Sequence, residues 1–231
     1  MFKNFYYKKW DSEFFKKPIF EYSANYNNEI ERLPIGSLLT AKIDSKIYSD
    51  LDYVNNLGFN FCEGELLFKK SLESTDDLIY ENDYHDYIAD NNSLEELKVM
   101  VKYLYEKSRF RQPWFSADER SLFYQTWIEN TILFKFDDCC LVLQSNNEIA
   151  AFITIRVRGA EASIGLVGVK PKYQGQGFGK RILQLGEKYC TVNGAKSIRV
   201  ATQMSNVSAA QLYSKNNYNL SDTYYWFYKK V

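Results

Sequence analysis

This chain has one histidine among 231 residues, four cysteines, no net charge and no long apolar run, and each scarcity closes off a class of function. Its 29 basic side chains balance 29 acidic ones, and no long basic run gathers them. Nucleic acid is therefore not the expected partner, whereas a nucleotide-bearing small molecule needs only a local cluster of cations. Cys62, Cys139, Cys140 and Cys190 form no Cys-x-x-Cys pair and no zinc spacing, so no metal is expected. Cys139 and Cys140 adjoin on a predicted strand and point to opposite faces; all four read as buried reduced thiols. His85 sits in a polar stretch and reads as a solvated loop residue. No apolar stretch approaches the roughly 18 residues of a membrane span. The opening Met-Phe-Lys-Asn-Phe-Tyr-Tyr-Lys-Lys-Trp has no signal-peptide core, and Phe2 stands where myristoylation needs glycine. A cytoplasmic protein with no membrane partner is expected.

Aromatic side chains are plentiful instead, at 17% with 19 Tyr, and tyrosine suits pockets because it offers area and a hydroxyl together. The length allows a sizeable core in one large or two small domains. An Asp/Asn-rich stretch over 71–92 reads as a linker carrying one short strand over 86–89, and it divides the chain into 1–75 and 76–231. Next, Ser93-Leu94-Glu95-Glu96 predicts a capping box with Ser93 as N-cap, opening a helix to about Lys107. A second helix is predicted over 119–133. Strands follow at 139–144, 149–156 and 163–169, the first two joined by the hairpin signal Asn146-Asn147. A helix over 180–193, a strand over 197–201, a helix over 206–215 and a strand over 223–228 complete the pattern. In the first 70 residues, 52–60 with Phe68 echo 211–219 with Phe227 at a constant offset: Phe59 meets Tyr218 and Asn60 meets Asn219.

Between the strand over 163–169 and the next helix lies Gln174-Gly175-Gln176-Gly177-Phe178-Gly179-Lys180. Glycines let backbone turn tightly and approach a ligand closely, and a helix start offers free N–H groups and a positive dipole end to a phosphate. A Walker loop is excluded because Arg181 follows Gly179-Lys180, and a dinucleotide fingerprint because Lys180 stands where its third glycine belongs.

What fits is Gln-x-x-Gly-x-Gly after a strand and Pro171, which closely resembles the pyrophosphate loop of the GCN5-related N-acetyltransferases, the GNAT superfamily. The element order read over 86–228, β-α-α-β-β-β-α-β-α-β, is also the order of that superfamily. The resemblance implies an α/β (α+β) GNAT fold, a mixed and mostly antiparallel sheet with splayed central strands flanked by helices. Residues 1–75 would add a smaller, partial and inactive GNAT-like domain. It further implies that acetyl-CoA is the co-substrate. Gln174, Gly175, Gln176, Gly177, Phe178, Gly179 and Lys180 would hold its pyrophosphate, and Val167, Gly168 and Val169 would lie along its pantetheine arm. Asn206 and Tyr213, seven apart on one face of the last helix, would bond that arm and reprotonate the departing sulfur. In the N-terminal echo Val54 replaces that tyrosine. A base is less marked; Glu63, flanked by apolar residues, is a candidate, and a substrate amine of modest pKa needs no dedicated base.

For the acceptor, Ser108-Arg109-Phe110-Arg111-x-Pro113-Trp114, Phe123-Tyr124-x-x-Trp127-Ile128-Glu129-Asn130 and Arg199-Val200-Ala201-Thr202-Gln203-Met204-x-Asn206 are similar to the dTDP-amino-sugar N-acetyltransferases within the superfamily. Those relatives imply a dTDP-amino sugar nucleotide as acceptor and a homodimer. Arg109 and Arg111 beside Trp114 would then offer forks for a diphosphate and a plate for a base or sugar. A longer acyl-CoA, a 3-amino sugar nucleotide, a protein N-terminus, a polyamine or a non-catalytic acyl-CoA-binding module remain open alternatives.

Overall fold

The computed structural model describes residues 2–30, 32–72 and 86–231; His85 and most of the polar stretch lie outside them. The elements are β1 (Phe2–Lys3), β2 (Phe5–Tyr7), α1 (Lys9–Phe15), β3 (Ile19–Tyr22), β4 (Glu29–Ile30), β5 (Leu38–Asp44), α2 (Tyr48–Asn56) and β6 (Asn60–Ser71). After the gap come β7 (Asp86–Ile88), α3 (Leu94–Leu104), α4 (Ala117–Ile132), β8 (Cys139–Ser145), β9 (Glu148–Arg158), β10 (Glu161–Val169), α5 (Phe178–Val192), β11 (Ser197–Gln203), α6 (Val207–Lys215) and β12 (Asn219–Lys230). Ten strands form one sheet in the order β2-β3-β5-β12-β6-β11-β10-β9-β8-β7. Among the described residues, only β3·β5 and β10·β11 are parallel pairs in it.

Local chemistry explains most of these boundaries. Asn146 and Asn147 both take positive φ, 52° and 61°, the turn that matches the twist of a two-residue hairpin. Buried residues Phe178, Ile182, Leu183, Gly186 and Cys190 put one face of α5 against β9. Gly186 allows that approach: a Cβ there would lie 2.9 Å from Ile153 Cδ1. Each fully buried aliphatic in this layer, Ile153 and Ile155 among them, contributes roughly 1.5–3 kcal/mol. All four cysteines are free and buried, and burial pushes their thiols above the ordinary range.

The capping box expected at Ser93 is not formed. Ser93 is already helical and makes no capping bond, because Asp90 acts three residues earlier. Its carboxylate accepts from Asn92 N at 2.9 Å and Ser93 N at 3.3 Å, capping a 3-10 turn that leads into α3. Glu96 instead accepts from Ile149 N at 2.9 Å and pairs with Lys170. The capping box found is Ser116 with Glu119, at the start of α4.

The N-terminal echo has a geometric counterpart. An offset of 159 residues (38 to 197, 48 to 207, 60 to 219) carries β5-α2-β6 onto β11-α6-β12 with the same first and last positions. β6 pairs with β11 through Ser71↔Ser197, and β12 pairs with β5 through Lys230↔Leu38, the same register at that offset. The long strands are thus exchanged, each lying against the other unit's shorter strand. Between them, Cys62 and Ser221 are the bulged residues, again one offset apart.

Candidate active site

The site is a gap between β10 and β11. The two strands pair for four residues, Glu161↔Ser197 to Ile164↔Val200, and then separate. The separation begins at a β-bulge, because the β9·β10 register shifts between Ile164 and Val167, and a bulge bends its strand. A buried polar chain holds it: Leu166 N–H donates to Thr154 Oγ1 at 2.8 Å, and that hydroxyl donates to Asp137 Oδ2 at 2.7 Å. The same oxygen accepts from Trp127 Nε1 at 2.9 Å, and Oδ1 pairs with Arg156 at 3.2 Å. Gly165 is dictated by this packing, since a Cβ would stand 2.4 Å from Asp137 Oδ2.

A cavity of about 780 Å³ fills the gap. Of the residues expected to hold acetyl-CoA, Val167, Gly168, Val169, Gln174, Gly175, Gly177, Gly179, Lys180 and Asn206 line it, together with Tyr213. Gln176 folds back to donate to Lys172 O at 2.7 Å, and Phe178 turns into the core; neither lines the cavity. Gly175 and Gly177 take φ of +76° and +86°, where a side chain would be strained, and Gly177 directly precedes α5. The loop's root is tied to the β8–β9 hairpin by Tyr173, Lys170 and Lys172, all bonded to Glu148. Lys172 first, then Tyr173 and Lys170, hold that carboxyl down at about 2.

Tyr213 is 2% exposed and packs on Phe68 and Tyr218, with ring centroids 5.6 and 5.8 Å away. Burial alone drives its phenol well above the ordinary value. Asn206 caps α6, its Oδ1 accepting from Ala209 N at 3.2 Å. Tyr105, at the end of α3, reaches the open edge of β10. Its hydroxyl accepts from Val167 N and donates to Val167 O, both at 3.0 Å, while its ring stacks on Tyr124 at 4.4 Å.

Past Tyr105 and Asn206 the cavity meets a second of about 380 Å³, lined among others by Glu65, Lys107, Arg109, Arg156 and Gln203. The Arg109 guanidinium lies 3.8 Å from the Trp226 ring centroid and 4.2 Å from that of Phe110, and donates to Tyr228 Oη. Gln203 Oε1 is buried with no bonding partner among the described residues. Arg111 and Trp114 do not line this space. Arg111 donates to Cys62 O and Gln112 O, both at 3.0 Å, and Trp114 is 8% exposed with its edge toward Tyr228. Glu63 does not line it either, accepting instead from Gly64 N and Ser205 Oγ. Sequence reading passed over Tyr105, Asp137, Glu65 and Gln203. Two of them had a visible signal: Glu65 is two strand positions from Glu63, and Gln203 lies inside the stretch over 199–206 that carries the acceptor resemblance.

This geometry has known counterparts. Residues 101–218 match the acetyltransferase (GNAT) family, and the chain belongs to it. It is an acyl-CoA-dependent N-acetyltransferase. The dTDP-fucosamine acetyltransferase of Escherichia coli O6:H1 is 30% identical over 84% of this chain and 82% of that protein. Spore coat polysaccharide biosynthesis protein SpsD of Bacillus subtilis is 24% identical over 58% of this chain and 46% of its own. Among solved structures, a GCN5-related N-acetyltransferase of Sphaerobacter thermophilus superposes with a TM-score of 0.59 at 15% identity, covering 84% of this chain and 60% of that one. A tandem GNAT protein from the clavulanic acid biosynthesis pathway gives 0.60 at 10% identity, covering 83% and 63%. Among the described residues, no helix is long and apolar enough to cross a membrane.

Proposed function

We propose that this enzyme moves acetyl from acetyl-CoA to the amine of a dTDP-amino-dideoxyhexose. The observation that carries the reading is the second cavity, opening from the donor cleft at Tyr105 and Asn206 with Lys107, Arg109 and Arg156 in its walls. Three cations outnumber Glu65 and Asp137 in these walls, a balance that suits a nucleotide diphosphate better than a polyamine. The relative that acts on dTDP-fucosamine supports the same acceptor.

In this mechanism the glycine loop and the start of α5 hold the pyrophosphate, and the Val167 N–H faces the thioester carbonyl oxygen. The sugar amine attacks the carbonyl carbon; the C–N bond forms, the C–S bond breaks, and Tyr213 gives its proton to the departing thiolate. The amine proton passes to Glu65, directly or through one water. Glu65 lines the acceptor cavity and is held by Trp226 Nε1 at 2.9 Å and Lys42 Nζ at 2.5 Å. Glu65→Gln keeps an oxygen for Trp226 but no basic charge, and is expected to lower kcat/KM on the order of tenfold at neutral pH. A rate that recovers fully at high pH fits a lost base; a loss independent of pH removes Glu65 from the role.

The Tyr105 hydroxyl meets both backbone groups of Val167 that the donor would use, so acetyl-CoA must displace it. Tyr105→Phe is then expected to bind acetyl-CoA about tenfold more tightly, since two hydrogen bonds of about 1 kcal/mol each no longer compete. Weaker binding by calorimetry would make the hydroxyl a donor ligand instead. Residues 1–75 form, in this reading, a partial GNAT-like unit. Val54 and Ile47 take the places of Tyr213 and Asn206 at the 159-residue offset, so this unit has neither group to act on a donor.

The acceptor is tested by thiol release from acetyl-CoA against a panel of dTDP-4-amino and dTDP-3-amino dideoxyhexoses. Rapid release with one sugar fits the proposal. No release with any of them, with acetyl-CoA still bound, turns the search to other amines or longer acyl donors.

A further inference from the structure

Beyond Arg109 and Phe110 the acceptor cavity continues into a third space of about 330 Å³, and this annex is built differently from the rest. Trp10, Phe110, Phe123, Trp127 and Phe136 supply most of its wall, and Asp11 and Asn130 are its polar side chains besides Arg109. The rings meet edge to face, Phe123 to Trp127 at 5.7 Å and Trp127 to Phe136 at 5.0 Å. Trp10 and Phe136 remain 50% and 40% exposed, so the annex leaves open aromatic surface of the kind that marks a ligand groove. At the neck between annex and acceptor cavity stand Arg109, which lines both, and Arg156, whose guanidinium lies 4.5 Å from the Phe136 ring centroid.

Cations at a neck and an open aromatic trough behind them match a diphosphate followed by a flat ring. We infer that the annex seats the base of the acceptor's nucleoside diphosphate, stacked on Trp10 and Phe136 with the Asn130 amide at its polar edge. The diphosphate then lies at Arg109 and Arg156, and the sugar amine reaches back toward Tyr105 and the thioester. This inference rests on the nucleotide-sugar reading above. It also gives α1 a place in the site, through Trp10, although α1 contributes nothing to the donor cleft.

The test is calorimetric titration of dTDP into the full-length protein, Trp10→Ala and Phe136→Ala, with steady-state kinetics on the dTDP-amino sugar. Both side chains are partly exposed, so both variants are expected to fold. Losing one stacking partner should raise the Kd for dTDP and the KM for the nucleotide sugar about tenfold or more. The KM for acetyl-CoA and kcat should stay within about twofold, as expected for binding contacts remote from the reacting atoms. Unchanged dTDP affinity in both variants overturns the annex while leaving acetyl transfer to a nucleotide sugar standing. A wild-type protein that binds acetyl-CoA but not dTDP overturns both.

Discussion

Replacing Tyr213 with Phe is expected to lower kcat by ~10²-fold or more and to leave the Kd for acetyl-CoA within about twofold. The phenol lines the donor cavity from α6, and its ring is held by Phe68 and Tyr218. Phe keeps that packing and removes only the proton. Burial holds the folded-state phenol neutral well above its ordinary pKa, which is near 10. A phenol serving as the acid would therefore stay loaded past its ordinary value, and wild-type kcat should not decline through about pH 10 on its account. Rapid-quench kinetics across pH separate the cases. A basic decline that disappears in Tyr213→Phe would return the phenol to the ordinary range while keeping it as the acid. A parallel loss of acetyl-CoA binding would make it a packing residue.

The strands and helices from β7 to β12 were legible because their signals are local. Asn146 and Asn147 announce a hairpin, the glycines at 175 and 177 sit at positive φ, and the cavity-lining residues of the loop follow from chain order. The start of β12 was read four residues late. Its first positions, Asn219, Leu220 and Ser221, are exposed and show no strand alternation, and they are strand only because Asn219 pairs with Lys69 and Leu220 with Phe68. No local pattern predicts β6 lying between β11 and β12, since that pairing spans more than a hundred residues. The same limit explains Arg111 and Trp114. Their residue types suited a ligand, but the direction of their loop depends on Cys62 and Tyr228 from β6 and β12.

Asp137 is the clearest case of a residue that sequence could not rank, and its loss should be felt in stability before chemistry. It is 3% exposed and gathers Trp127 from α4 and Thr154 and Arg156 from β9, beside Gly165 in the bulge of β10. Asp137→Ala is expected to destabilise the protein by about 3 kcal/mol, read from urea midpoints, because it strands the partly buried Trp127 indole N–H and removes the carboxylate facing Arg156. Arg156 is partly exposed, so water offsets some of that loss and holds the expectation at the low end of the buried-pair range. With the Thr154 hydroxyl no longer oriented, the Leu166 N–H that depends on it is less firmly held, and the bulge that parts β10 from β11 loosens. Acetyl-CoA affinity should then fall together with stability, and Asp137→Asn, which still offers an oxygen to Trp127, should recover part of both. A variant as stable as wild type, within about 0.5 kcal/mol, would mean that the gap is opened by the glycine and the strand twist alone.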